Sequence, residues 1–148
     1  LECFKRLDRP NTRHPAVQHL SLSWNGLENT GCTRIAAALA ENHGLRSLDL
    51  SCTRMGNPAC SVLAAALIQN TTIDTLLVNG NTIGDQGTRI LAQALSQNCS
   101  LRHLGLEVRR CSRLIRSLFL SLSPFPASNL IILVLHGFGW QRHRRPGP

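Results

Sequence analysis

The chain has 148 residues and a mass of 16.3 kDa, enough for one domain with a core but not for two independent ones. Its formal charge is +8, yet the five arginines between residues 17 and 106 are balanced by five acids; the excess is +2 over residues 1–16 and +6 over residues 107–148. A basic nucleic-acid-binding body is therefore disfavoured, because the basic character belongs to the two ends.

Residues 1–16 begin with Leu1 and contain no charged segment leading into an apolar run and a small-residue cleavage site, so no secretory signal is visible. Six cysteines occur (Cys3, Cys32, Cys52, Cys60, Cys99 and Cys111), but none forms a C-x-x-C pair and no cysteine–histidine group has zinc spacing. Free thiols in a reducing compartment are expected, with no metal site and no cofactor. The expected location is the cytoplasm.

From Val17 the chain falls into lines of 28 residues, 17–44, 45–72 and 73–100, with a fourth beginning at 101–106. Val17, Leu45, Ile73 and Leu101 coincide, as do Leu20, Leu48, Leu76 and Leu104, and Leu22, Leu50, Val78 and Leu106. The first half of each line alternates apolar and polar residues, which predicts a short strand with one buried face. The second half carries Ile35, Ala36, Ala38 and Leu39, then Leu63, Ala64, Ala66 and Leu67, then Leu91, Ala92, Ala94 and Leu95. Spacings of three and four predict one buried stripe on a helix.

Boundary residues fit this division. Asn42, Asn70 and Asn98 follow the helices, and a left-handed Asn that ends each helix is expected there. Gly31, Ala59 and Gly87 mark a phase near the helix starts that calls for a small residue. Asn25 and Asn81 follow the strands, with Thr53 in the same phase; a buried amide there pairs with the neighbouring turn, and threonine makes a weaker link.

A single strand–helix unit cannot bury its own apolar face, so the units must stack into a solenoid with a parallel sheet inside and helices outside. The pattern L-x-x-L-x-L-x-x-N with A-A-A-L or A-L-A helices, over Val17 to Leu106, resembles leucine-rich repeats of the ribonuclease-inhibitor type. That type includes the sensing domains of NOD-like receptors and Ran GTPase-activating proteins. The resemblance implies an α/β fold: a right-handed horseshoe fragment with parallel strands on the concave side and helices on the convex side. It also implies an intracellular scaffold that binds another protein; that it is not an enzyme is expected from its own residues.

Residues 107–148 break the pattern: Arg109 stands where Asn is expected, Cys111 where Leu27, Met55 and Ile83 sit, and Ser123 where Leu39, Leu67 and Leu95 sit. This segment reads as a non-repeat basic and hydrophobic tail, following repeats at 17–106 and an N-terminal flank at 1–16. With three full units and uncapped ends, the chain reads as a fragment or altered form of a longer solenoid, its tail of alternative origin. The run Asn129–Trp140 is too short to span a bilayer; it is expected to cover the open end of the stack or to stay exposed.

The concave face is the candidate partner site: His19, Ser21, Ser23 and Trp24; Ser47, Asp49, Ser51 and Cys52; Thr75, Leu77 and Asn79; and His103. Trp24 and Leu77 are the large apolar residues among them and the natural anchors. His19 and His103 share a phase three repeats apart, about 14 Å, too far for joint chemistry. No serine, histidine and carboxylate converge, so no catalytic residue is assigned. Two other functions compete: a Ran-type GTPase activator, implied by the resemblance alone, and nucleic-acid or lipid association through the basic tail.

Overall fold

The computed structural model describes residues 17–106 and the backbone of a strand at 132–134. Each unit folds as one short strand and one helix: β1 (His19–Ser21), α1 (Glu28–Ala40), β2 (Ser47–Asp49), α2 (Asn57–Gln69), β3 (Thr75–Leu77), α3 (Asp85–Leu95) and β4 (His103–Gly105), followed by β5 (Ile132–Val134). All strands pair in parallel in chain order. The register advances one repeat per strand, so that Leu20, Leu48, Leu76 and Leu104 form one row.

Paired strands lie about 4.8 Å apart and packed helices about 8–10 Å apart. Because α1 packs on α2 and α2 on α3, the helix layer advances by a longer step than the sheet. The stack bends to reconcile the two, with the strands on the inside. Between the layers lie Leu45, Leu48, Leu50, Ile73, Leu76 and Val78 from the strand side, and Leu39, Leu63, Leu67, Leu91 and Leu95 from the helices, all buried. In the first unit Val17, Leu20, Leu22, Leu27 and Ile35 are only partly buried; among the described residues β1 has a paired neighbour on one side only.

The asparagines after the helices do not work as expected. Asn70 has φ −80° and ψ 128°, which is extended, and neither Asn42 nor Asn98 has positive φ. All three side chains are buried, and those of Asn70 and Asn98 lie between units. Asn70 Nδ2 donates to the carbonyls of Leu39 (2.8 Å) and Asn42 (2.7 Å), while its Oδ1 accepts from the N–H groups of Thr72 and Ile73 (both 2.9 Å). Asn98 repeats the pattern one unit on, donating to Leu67 O (2.5 Å) and Asn70 O (3.1 Å). A left-handed turn is unnecessary because the amide carries the chain around the corner.

The second ladder agrees with the sequence reading. Asn81 Nδ2 donates to Leu50 O (2.8 Å) and Val78 O (3.0 Å), and Oδ1 accepts from the N–H groups of Thr53 and Met55 (3.1 and 2.9 Å). Thr53 Oγ1 donates to Leu50 O of its own turn (2.8 Å), lies 3.2 Å from Asn81 Oδ1 and accepts a weak bond from Cys32 Sγ of the preceding unit (3.5 Å), and the exposed Asn25 side chain bonds Leu22 O and Ser23 O of its own turn. A third ladder escaped the sequence reading, although Asn29 and Asn57 share a phase. Asn29 Oδ1 accepts from Gly56 N–H (2.9 Å), and Asn57 Oδ1 accepts from the N–H groups of Gly84 (2.9 Å) and Gly87 (3.2 Å). Of the small residues expected near the helix starts, Gly87 is explained by this contact, since a Cβ there would lie 2.7 Å from Asn57 Oδ1, whereas at Gly31 a Cβ would meet Leu27 Cβ at 3.0 Å.

Strand β5 lies within the segment read as a non-repeat tail. It pairs with β4 in the common register, His103 opposite Ile132 and Gly105 opposite Val134. Leu130, Leu133 and Leu135 have the L-x-x-L-x-L spacing of Leu101, Leu104 and Leu106. The motif returns 29 residues later instead of 28, and a fixed-period alignment passes over it.

Replacing Asn70 with Ala strips buried carbonyls and N–H groups of a partner, and the unfolding free energy is expected to fall by about 2–4 kcal/mol. Asn25→Ala, in an exposed turn, should change it by less than about 1 kcal/mol. Urea denaturation of both variants measures this, and equal losses would contradict the ladder's structural role.

Candidate functional site

The parallel register sorts the inner face into columns. His19, Ser47, Thr75 and His103 form one, and Ser21, Asp49, Leu77 and Gly105 the next. A small polar network joins the first two units: Ser21 Oγ donates to Asp49 Oδ2 (3.3 Å) and lies 3.0 Å from Ser23 Oγ, and Ser51 N–H donates to Asp49 Oδ1 (2.9 Å). Asp49 is therefore held by local donors. His19 and His103 are exposed at the two ends of one column, three strand steps apart, and no group of three or more metal-ligating side chains occurs among the described residues.

Five residues assigned to the strand face lie beyond the strands. Ser23, Trp24, Ser51, Cys52 and Asn79 occupy the turns that follow them. Trp24, Cys52 and Gly80 form a further column, with φ of 62°, 55° and 64°. The turn closes onto the next unit, with Trp24 N–H donating to Ser51 O (3.0 Å) and Cys52 N–H to Asn79 O (2.8 Å). Glycine is the unstrained choice at such a φ, and at Gly80 it is also required sterically, since a Cβ would lie 2.6 Å from Cys52 Sγ. Trp24 takes the same backbone shape with a large side chain that is 83% exposed.

Leu77 departs from its expected role as an exposed anchor. It is half-buried because its neighbour in the column is Gly105, where a Cβ would lie 2.7 Å from Leu77 Cδ2 and 2.9 Å from Asn79 Nδ2. The leucine and the amide cover bare backbone. Asn79 Oδ1 is buried there and, among the described residues, lacks a hydrogen-bond partner. Among the described residues Trp24 is thus left as the large apolar group presented on this side; the other strongly exposed one, Ile68, lies at the end of α2.

Cys32 and Cys60 are buried at successive helix starts as free thiols, Cys60 Sγ donating to Gly87 O (3.4 Å) and Cys32 Sγ to Thr53 Oγ1 (3.5 Å). Burial pushes the Cys60 thiol from its ordinary 9.0 up to about 12, and burial likewise raises Cys32, partly offset by the Thr53 bond. Cys52 and Cys99 are the accessible thiols among the described residues. Asn70 and Asn98 satisfy the N-glycosylation pattern, but their Nδ2 atoms are buried and donate to two carbonyls each. A glycan on either is incompatible with this fold.

The family model described as Leucine Rich repeat matches residues 14–36 and 41–64. This is a leucine-rich-repeat fold. Among solved structures it is similar to one named Leiomodin-1 Actin-Binding Site 2, at a TM-score of 0.79 and 24% identity over 91% of this chain and 76% of that one. It is also similar to a tropomodulin C-terminal domain from Caenorhabditis elegans, at a TM-score of 0.51 and 14% identity over 82% of this chain and 89% of that one. At these identities the likeness is one of fold. No curated protein matches the chain. No helix among the described residues of the leucine-rich-repeat fold is long and apolar enough to cross a membrane.

Two measurements probe this geometry. Trp24→Gly should be more stable to urea than Trp24→Ala by about 1 kcal/mol, because only glycine relieves the left-handed backbone; the reverse order would show the turn to be unstrained. Above pH 9 the unfolded chain releases the Cys60 proton while the folded one retains it, so stability should fall as pH rises from 9 toward about 12. Cys60→Ala should flatten that slope in urea titrations across the range.

Proposed function

We propose that this leucine-rich-repeat protein is a non-enzymatic interaction module that binds a protein partner through its concave face and the turns beside it, with no cofactor. The observation that carries the reading is Trp24. Its left-handed backbone and its 83% exposed ring are both unfavourable in the free protein, and a partner that buries the ring recovers the second of these costs. His19, Ser21, Ser23, Ser47, Asp49, Ser51, Thr75 and His103 supply the polar surround, and Cys52 and Asn79 the neighbouring turns. Leu77 serves as the floor and not as an anchor. The 28-residue unit with a full helix in each line supports the ribonuclease-inhibitor type of repeat, and the free thiols support a cytoplasmic location.

The test is a quantitative mass-spectrometric pull-down comparing the chain with a His19→Glu, Trp24→Glu variant whose urea midpoint is matched. Specific partners should be depleted at least about tenfold in the variant. Retention of the same set would overturn the concave-face reading. One similar structure is named as an actin-binding site, which makes actin the first defined partner to try, by co-sedimentation with both forms.

A further inference from the structure

On the edge of the sheet opposite the Trp24 turns, where the strands begin, the helix-to-strand loops at 70–74 and 97–102 enclose a groove of about 600 Å³. Its walls include Arg46, Asp74 and Arg102, which occupy one phase of three successive units. Arg46 and Arg102 are exposed and Asp74 is half-buried, its Oδ1 accepting a bond from Thr75 Oγ1 (2.8 Å). The ion pair between Arg54 and Glu28 lies on another part of the surface, and among the described residues neither Arg46 nor Arg102 is ion-paired. The two guanidinium groups therefore flank the groove without an acid engaged against them. Ile68, 44% exposed, adds an apolar wall.

The floor beneath these groups is rigid. Asn70 and Asn98 are fixed by four Nδ2 bonds to the carbonyls of Leu39, Asn42, Leu67 and Asn70, and Ser100 Oγ donates to Asn70 O (3.2 Å). The guanidinium groups are thus mounted on ladders that hold successive units in register. Their Cα atoms stand two strand steps apart, about 10 Å; carboxylates on one face of an extended peptide stand about 7 Å or about 13 Å apart, and the long arginine side chains span the difference.

We propose that this groove binds an acidic peptide segment of another protein, with carboxylates on Arg46 and Arg102 and an apolar side chain on Ile68. Guanidinium groups grip carboxylates bidentately, and the exposed isoleucine distinguishes the occupant from a free anion. Residues 107–148 hold Glu107 as their sole acid against seven arginines, and residues 1–16 hold two acids against four basic residues, so neither stretch has the chemistry of such a segment. Asp74 repels the same ligand and limits its affinity.

The experiment is fluorescence anisotropy of the full chain with a labelled acetyl-Glu-Glu-Leu-Glu-Glu-amide probe. Saturable binding is expected, weakened at least about tenfold in Arg46→Glu, Arg102→Glu. Arg34→Glu, Arg89→Glu makes the same change in net charge on exposed helix positions and should change affinity by less than about threefold. Asp74→Asn keeps the oxygen that Thr75 uses and should tighten binding, an outcome that unfolding cannot imitate. Equal weakening in the two double variants would reduce the effect to general attraction by a chain of charge +8. Equal binding of the Gln-Gln-Leu-Gln-Gln probe, or no saturable binding, would also overturn the proposal.

Discussion

Every helix in this protein ends in backbone groups that it cannot satisfy by itself, and the whole stack follows from where their partners are found. None of the three helices among the described residues has a side-chain hydrogen bond from its own N-cap residue. Instead the N–H of Gly56 reaches Asn29 and that of Gly84 reaches Asn57, each in the preceding unit. At the other end, Leu39 O receives the amide of Asn70 and Leu67 O that of Asn98, each in the following unit. The starts of α2 and α3 are therefore capped from behind and the ends of α1 and α2 from ahead, while at the start of α1 the N–H of Glu28 donates to Thr53 O of the following unit (2.9 Å). Buried polar groups left without such partners cost more than a typical hydrogen bond gains, so separation of two units is opposed by polar groups as well as by the apolar core.

The same stacking decides what the molecule can present. Buried positions are tied to a neighbour on each side, and little variation is tolerated there. Strand positions facing inward and the residues of the following turns are freer, and it is there that the units differ: His19 against Ser47 and Thr75, Trp24 against Cys52 and Gly80. The left-handed turn column shows how such differences are limited by the chain's geometry. Cys52 occupies the space in front of Gly80, whereas Trp24 directs its ring into solvent.

Much of the fold was legible in the sequence because a repeat reports its own register. Once Leu20, Leu48, Leu76 and Leu104 are aligned, the strand row and the helix stripe follow from periodicity alone. The role of Asn70 was not legible in the same way. Helix-ending asparagine has a familiar local explanation, the left-handed cap, and only the three-dimensional neighbour of the next unit reveals the ladder that replaces it. The pairing of β5 was hidden by a single extra residue, since Leu130, Leu133 and Leu135 carry the motif outside the fixed period. At the candidate site, alternation placed His19, Ser21, Asp49 and Thr75 correctly on the inner face. It could not show that Leu77 would be covered by its relation to Gly105, because that depends on the missing side chain in the adjacent strand and not on Leu77 itself.

The two capping ladders point in opposite directions along the chain, and this has a consequence for synthesis. The starts of α2 and α3 are completed by a unit that already exists, but the ends of α1 and α2 are completed only when an asparagine 31 residues further on arrives, as in the bond from Asn70 to Leu39. At the usual pace of about 5–20 residues per second, every newly made unit waits a few seconds with its last carbonyls bonded to water. A growing chain of this kind carries one unfinished unit at its leading edge throughout translation, and closes each one behind it as the next emerges.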